Sequence, residues 1–127
     1  MAKAKPLTQK IKWMPDVEAH NYQAAESYLT LLYTHDQVSK MIAGLRRARI
    51  VQFKAKDIFR ASQLSLLGVS NSHVVKDRMK IRDKISLSPI LLVRSKTQGK
   101  VVIADGYHRM CAIYQVDEDA LIHCKIA

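Results

Sequence analysis

The sequence predicts an α/β fold of the α+β kind: a small mixed sheet with packed helices, preceded by a helical hairpin. Three observations predict it. Apolar residues in the first fifty positions recur at helical spacing on either side of a capping-box sequence. Two strongly apolar runs near position 100 are parted by a short polar link ending in glycine, as in an antiparallel pair of strands. A helical seam and then a strictly alternating run follow them.

Residues 1–14 carry Lys3, Lys5, Lys10 and Lys12 and read as a basic tail. Pro15 suits the first turn of a helix, where its missing N–H costs nothing. Ala25, Tyr28, Leu29 and Leu32 continue that helix over residues 15–33. Thr34-His35-Asp36-Gln37 is a capping box, and Val38, Met41, Ile42, Leu45 and Ala48 form the stripe of a second helix. The short link makes 15–49 a hairpin, which covers the core of its own chain or forms a homodimer surface. Trp13 and Tyr22 read as anchors of the first helix.

Residues 50–127 read as the α/β domain. Residues 50–53 suit a short strand, 54–62 are mixed and unassigned, and 68–72 form a turn. Asn71-Ser72 caps a third helix over 73–85, with Val74, Ile81 and Ile85 on one face beside Val75 and Met79. His73, Asp77, Lys80 and Lys84 line its other flank, with Lys76 adjoining. Ser88-Pro89 stops it. Strands follow over 90–94 and 100–104. Asp105-Gly106 turns the chain into a fourth helix with a seam of Tyr107, Met110, Cys111 and Tyr114, ended by Asp117-Glu118-Asp119. The last strand, 121–126, points Ile122, Cys124 and Ile126 inward and His123 and Lys125 outward.

Composition narrows the function classes. The 127 residues are 48% hydrophobic and 25% charged, as expected of one soluble domain. Two cysteines in apolar stretches suit a reducing, cytoplasmic setting better than a disulfide framework. No apolar run reaches the ~20 residues of a membrane span, and no secretory signal core opens the chain. The net charge of +10 favours a polyanionic partner such as nucleotide or DNA, or else is a solvated basic surface. Arg46, Arg47 and Arg49 complement a helix C-terminus or form a DNA-facing patch.

The chemistry concentrates at Asp105-Gly106-Tyr107-His108-Arg109. A helix start leaves backbone N–H groups unpaired and carries partial positive charge, which suits an anion. Gly106 permits close approach of a ligand. Arg109 can grip phosphate through paired hydrogen bonds, and His108 can donate or exchange a proton. Asp105 either caps the helix, as N-cap, or holds Mg²⁺ that bridges to phosphate. Tyr107 packs in the core, or stacks on a base. The purely structural alternative is Asp105 as a cap, Arg109 in an ion pair and His108 packed. His73 and Asp77, spaced for one helix face, are a metal pair or a surface ion pair. Asp117, Glu118 and Asp119 hold a cation or are solvated.

This turn between a strand and a helix, following a Pro-Ile-x-x-Val strand, resembles the ParB/sulfiredoxin superfamily. The resemblance spans residues 56–126, taking in Lys56-Asp57-Ile58, the third helix and Ser88-Pro89-Ile90, and leaves 1–50 uncovered. It implies nucleotide phosphates (ATP, ADP, CTP or GTP, with Mg²⁺) on Gly106, His108 and Arg109, with His73, Lys76 and Lys80 brought toward them. Phosphotransfer or nucleotide hydrolysis would then employ His108 and Asp105. Three departures matter. Tyr107 stands where the sulfinic-acid reductases carry their catalytic cysteine, and Cys111 lies on the seam. No helix-turn-helix module of the partition proteins follows the last strand. The free-serine kinases share a similar Asp-Gly-His-His-Arg turn, but Tyr107 replaces its first histidine, and no catalytic glutamate is evident outside the motif. The alternative is a non-enzymatic DNA-associated or protein-interaction module of the same fold.

Overall fold

A computed structural model describes residues 11–65 and 71–127. The predicted tail over 1–10 and residues 68–70 of the predicted turn lie outside the described residues. The elements run α1 (Ala19–Leu29), α2 (His35–Arg47), β1 (Val51–Lys54), α3 (Ala55–Ser62), α4 (Ser72–Arg82), β2 (Ile90–Ser95), β3 (Lys100–Asp105), α5 (Tyr107–Val116) and β4 (Leu121–Ile126). The four strands form one mixed sheet in the order β1-β4-β2-β3. β2 and β3 are the antiparallel hairpin, β4 runs parallel to β2, and β1 pairs antiparallel with β4 at the edge. The fold class is therefore the predicted α+β arrangement.

Both faces of the sheet are covered. Ile90, Leu92, Ile103, Ile122 and Cys124 pack with α3, α4 and α5, burying Ile58, Val74, Ile81, Met110 and Ile113. Leu91, Val93, Val102 and Ala104 pack on the other side with Tyr22, Ala25 and Leu29 of α1 and Val38, Ile42 and Leu45 of α2. That double cover explains why β2 reads as a continuous apolar run. The hairpin thus lies on its own sheet. Its link carries the predicted capping box: the Thr34 hydroxyl accepts from Gln37 N–H, and the Gln37 side chain accepts from Thr34 N–H.

Several expectations are corrected. The first helix begins at Ala19, not Pro15, because Lys12–Met14 is held extended by two backbone bonds with Leu87. It ends at Leu29, which leaves Leu32 beyond the helix and exposed; within it Tyr28 is exposed as well, and Tyr22, Ala25 and Leu29 supply the buried line. Trp13 anchors β4 instead of the helix, stacking on His123 at 5.1 Å. The unassigned 54–62 segment contains α3, which buries Ala55, Ile58 and Ser62 on one face. The third predicted helix, α4, stops at Arg82 because Lys84 takes a left-handed conformation, φ 59°. Ile85 is consequently exposed, as are Val75 and Met79, and the buried line is Val74, Asp77 and Ile81. Ser88 ends no helix; its buried hydroxyl accepts hydrogen bonds from Glu18 N–H and from the Asn21 amide at 2.6 Å.

In α5 the buried residues are Met110, Cys111, Ala112 and Ile113, with Tyr107 and Tyr114 only partly covered. Lys125, expected to point to solvent, is 5% exposed because the hairpin covers its side of the sheet. Its ammonium donates to the Tyr22 hydroxyl at 3.0 Å and to the Arg46 carbonyl at 3.3 Å, and pairs with Asp16 at 3.4 Å. Arg46 itself lies over the Tyr22 ring. Among the described residues, no helix is long and apolar enough to cross a membrane.

Candidate phosphate site

β3 delivers Asp105 to the sheet end under α4 and α5. Gly106 then makes the corner with φ 106°, a conformation that glycine adopts without the steric cost of a side chain. A Cβ there would stand 2.8 Å from Ile90 Cγ1 and 2.9 Å from Arg109 Nη2. Gly106, not Asp105, is the N-cap of α5, and no side chain caps that helix start. The Asp105 carboxylate instead accepts from Arg109 Nη2 at 3.0 Å, with both side chains more than four-fifths buried. Arg109 Nη2 also lies 3.5 Å from the Pro89 carbonyl, and its Nε is buried with no hydrogen-bond partner.

α4 packs beside α5 and brings its first two turns to the same corner. A cavity of about 210 Å³ opens there, bounded by His73, Lys76 and Asp77 of α4. Its opposite wall is Asp105, Gly106, His108 and Arg109. Of the eight residues nominated from the sequence, six therefore line one cavity. Lys80 is half-buried on α4 and does not line it. Tyr107 faces a neighbouring cleft, its hydroxyl donating to the Ser65 carbonyl.

The His73 and His108 rings meet at 4.8 Å between centroids. Burial holds the His108 imidazole below its usual range, and the adjacent His73 adds to that depression. Asp77 is pushed up by burial, opposed by the positive charges of Arg109 and Lys80 and by the two histidines. Lys76 and Arg109 share the lining with Asp77 and Asp105, so the walls carry both signs of charge. A proton taken up by His108 would shift that balance toward positive charge. The corner thus joins two cationic side chains, two carboxylates and an imidazole whose burial disfavours its charged form.

Other candidates resolve differently. No ion pair joins His73 to Asp77, and among the described residues no three His, Cys, Asp or Glu converge on a metal position. Asp119 pairs with Lys56 at 2.7 Å, and Asp117 accepts from Asp119 N–H, so this acidic loop fastens the start of α3. Cys111 is fully buried, which denies it the access a nucleophile requires. Burial pushes the Cys124 thiol up to about 12. Sequence reasoning missed the burial of Asp77. It also missed Ala24, Tyr28 and Leu64, which border the cleft beside Gly106; the spacing puts Tyr28 in the apolar stripe of the first helix instead. No protein-family model, curated protein or solved structure matches the chain.

Proposed function

We propose that this protein binds a phosphate ligand, a nucleotide in the first instance, at the Asp105–Arg109 corner, as a relative of the ParB/sulfiredoxin superfamily. One observation carries the reading. His73 and Lys76 come from one helix, and Gly106, His108 and Arg109 from a turn some thirty residues away, yet they bound one cavity. The uncapped start of α5 adds backbone N–H donors and the positive end of a helix dipole. Arg109 supplies fixed charge, and His108 supplies a proton donor beside the bound oxygens.

The same residues suit phosphotransfer or hydrolysis. His108 would take a proton from the reacting oxygen, since burial disfavours its charged form and leaves the ring free to accept one. The Asp105 carboxylate has one oxygen on Arg109, and its other oxygen suits a Mg²⁺ held chiefly by phosphate. Calorimetry with ATP, ADP, CTP and GTP, with and without Mg²⁺, tests the proposal. At least one binds, and Arg109→Ala weakens it by about tenfold or more, the loss expected for a charge-assisted hydrogen bond. Absence of binding by all four, or an unchanged affinity in the Arg109→Ala variant, refutes it.

A further inference from the structure

The charged cavity does not stop at Gly106. Asp105, Gly106 and His108 also border a second cleft of about 410 Å³. Beyond that shared ridge the lining changes character: Ala24 and Tyr28 come from α1, Leu64 follows α3, and Ile103 and Tyr107 come from the sheet end and α5. Among the described residues, no lysine or arginine lines this second chamber.

Size argues that the two chambers serve one ligand. Small-molecule sites usually enclose about 300–1,000 Å³. The charged chamber, about 210 Å³, falls short of that range, while its neighbour, about 410 Å³, adds room across three residues they share. Polarity then divides the ligand: phosphate on the side of His73, Lys76 and Arg109, and an uncharged group on the other. Tyr28 indicates what kind of group. It lies beside the fully buried Leu29 on the helix that covers the sheet, yet it is 41% exposed. An aromatic ring left open in a cleft offers a stacking face. On the opposite wall the Tyr107 hydroxyl donates to the Ser65 carbonyl.

We infer that the N-terminal hairpin completes the ligand site, with Tyr28 seating a flat, uncharged ring such as a nucleobase while the phosphate occupies the His73–Arg109 chamber. This rests on the phosphate reading and gives the hairpin a part in recognition as well as in covering the sheet. It makes the preference among phosphate esters a property of α1, not of the Asp105–Arg109 turn.

The full chain is titrated calorimetrically with the four nucleotides, and with ribose 5-phosphate and inorganic pyrophosphate as base-free probes. Tyr28→Ala weakens the bound nucleotide by about tenfold, the order expected for one base–aromatic stack. The same variant leaves pyrophosphate binding within about twofold, and Tyr28→Phe, which keeps the ring, retains nucleotide affinity within about threefold. Thermal melts by circular dichroism establish that both variants fold; Tyr28 is exposed enough for the core to tolerate either change. Unchanged nucleotide affinity in Tyr28→Ala overturns the inference and leaves the phosphate reading standing. Equal loss of nucleotide and pyrophosphate overturns it also, because the ring would then be supporting the turn instead of seating a base. If the unmodified protein binds neither nucleotide nor pyrophosphate, the phosphate reading fails and this inference with it.

Discussion

Replacing Gly106 with alanine tests whether the corner is as tightly built as its geometry indicates. Two costs add. The backbone sits at φ 106°, where a residue with a Cβ incurs strain of about 1–3 kcal/mol. The new methyl would also lie 2.8 Å from Cγ1 and 3.2 Å from Cγ2 of Ile90. Ile90 is fully buried among Leu92, Met110 and Ile122, so it has little freedom to withdraw, and overpacking of this kind costs about 1–3 kcal/mol more. Arg109 Nη2, 2.9 Å away, moves only by loosening its bond to Asp105. The expected loss is roughly 2–6 kcal/mol, a large share of the about 5–15 kcal/mol that stabilises a typical domain. Urea unfolding followed by circular dichroism reads it directly. At a slope of about 2 kcal/mol per molar, the midpoint falls by about 1–3 M. Gly99→Ala is the control, since Gly99 has φ 62° but nothing within 4 Å of its Cβ position. It carries the backbone cost alone, about 1–2 kcal/mol. Equal losses in the two variants, or a shift below about 0.3 M for Gly106→Ala, would show that Ile90 and Arg109 do not confine this corner.

Four further outcomes follow from the same geometry. In the absence of Mg²⁺, Asp105→Asn removes the carboxylate that competes for Arg109, so pyrophosphate binds several-fold more tightly at about pH 7; weaker binding in metal-free calorimetry would show that the carboxylate positions Arg109 instead of competing for the anion. The His108 pKa lies below its usual 6.5 in the folded protein, so the unfolded chain binds more protons between those two values, and the contribution of His108 to stability is lost as pH falls through that window. A bound phosphate raises this pKa again, so a titration of the imidazole proton by NMR shifts upward with pyrophosphate, and no shift would remove His108 from the site. Leu29→Ala, at a fully buried hairpin position, costs about 2–5 kcal/mol in urea unfolding, whereas a loss below about 1 kcal/mol would mean the hairpin is not docked on the sheet. If exposed Arg47 and Arg49 face DNA, gel-shift affinity falls steeply with salt and is weakened by their joint replacement with glutamine; absence of a shift at low salt discards that alternative.

Much of the frame was legible because its signals are local. The apolar runs at 90–94 and 100–104, the alternation at 121–126 and the Thr34–Gln37 box each describe one short stretch of chain, and each has its structural counterpart. The failures share a different cause. Ile85 continues the spacing from Ile81, but Lys84 turns left-handed without a glycine to announce it. Lys125 alternates correctly, yet solvent on one sheet face was an assumption, and the hairpin occupies that face. α3 offers only Ala55, Ile58 and Ser62 as anchors, too few to declare a helix in a mixed segment. At the candidate site, the turn chemistry and the flank of α4 were readable one element at a time. The burial of Asp77 and the approach of Tyr28 depend on α5 and α1 meeting elements distant in the chain, which no local pattern encodes.

The position of β4 has a consequence for how the molecule is made. It lies between β1 and β2, so β1 has no partner in the sheet until β4 arrives, some seventy residues later in order of synthesis. Its parallel union with β2 likewise spans the whole of β3 and α5. Pairing over such separations carries its entropic cost before any contact rewards it, which slows folding and lengthens the life of incomplete species. Until β4 is in place the backbone edge of β2 over Ile90–Leu92 lacks the partner it has in the folded sheet, and an open edge of that kind favours association with other chains. Formation of this sheet is therefore a closing event, in which β4 enters between two strands that precede it in the chain.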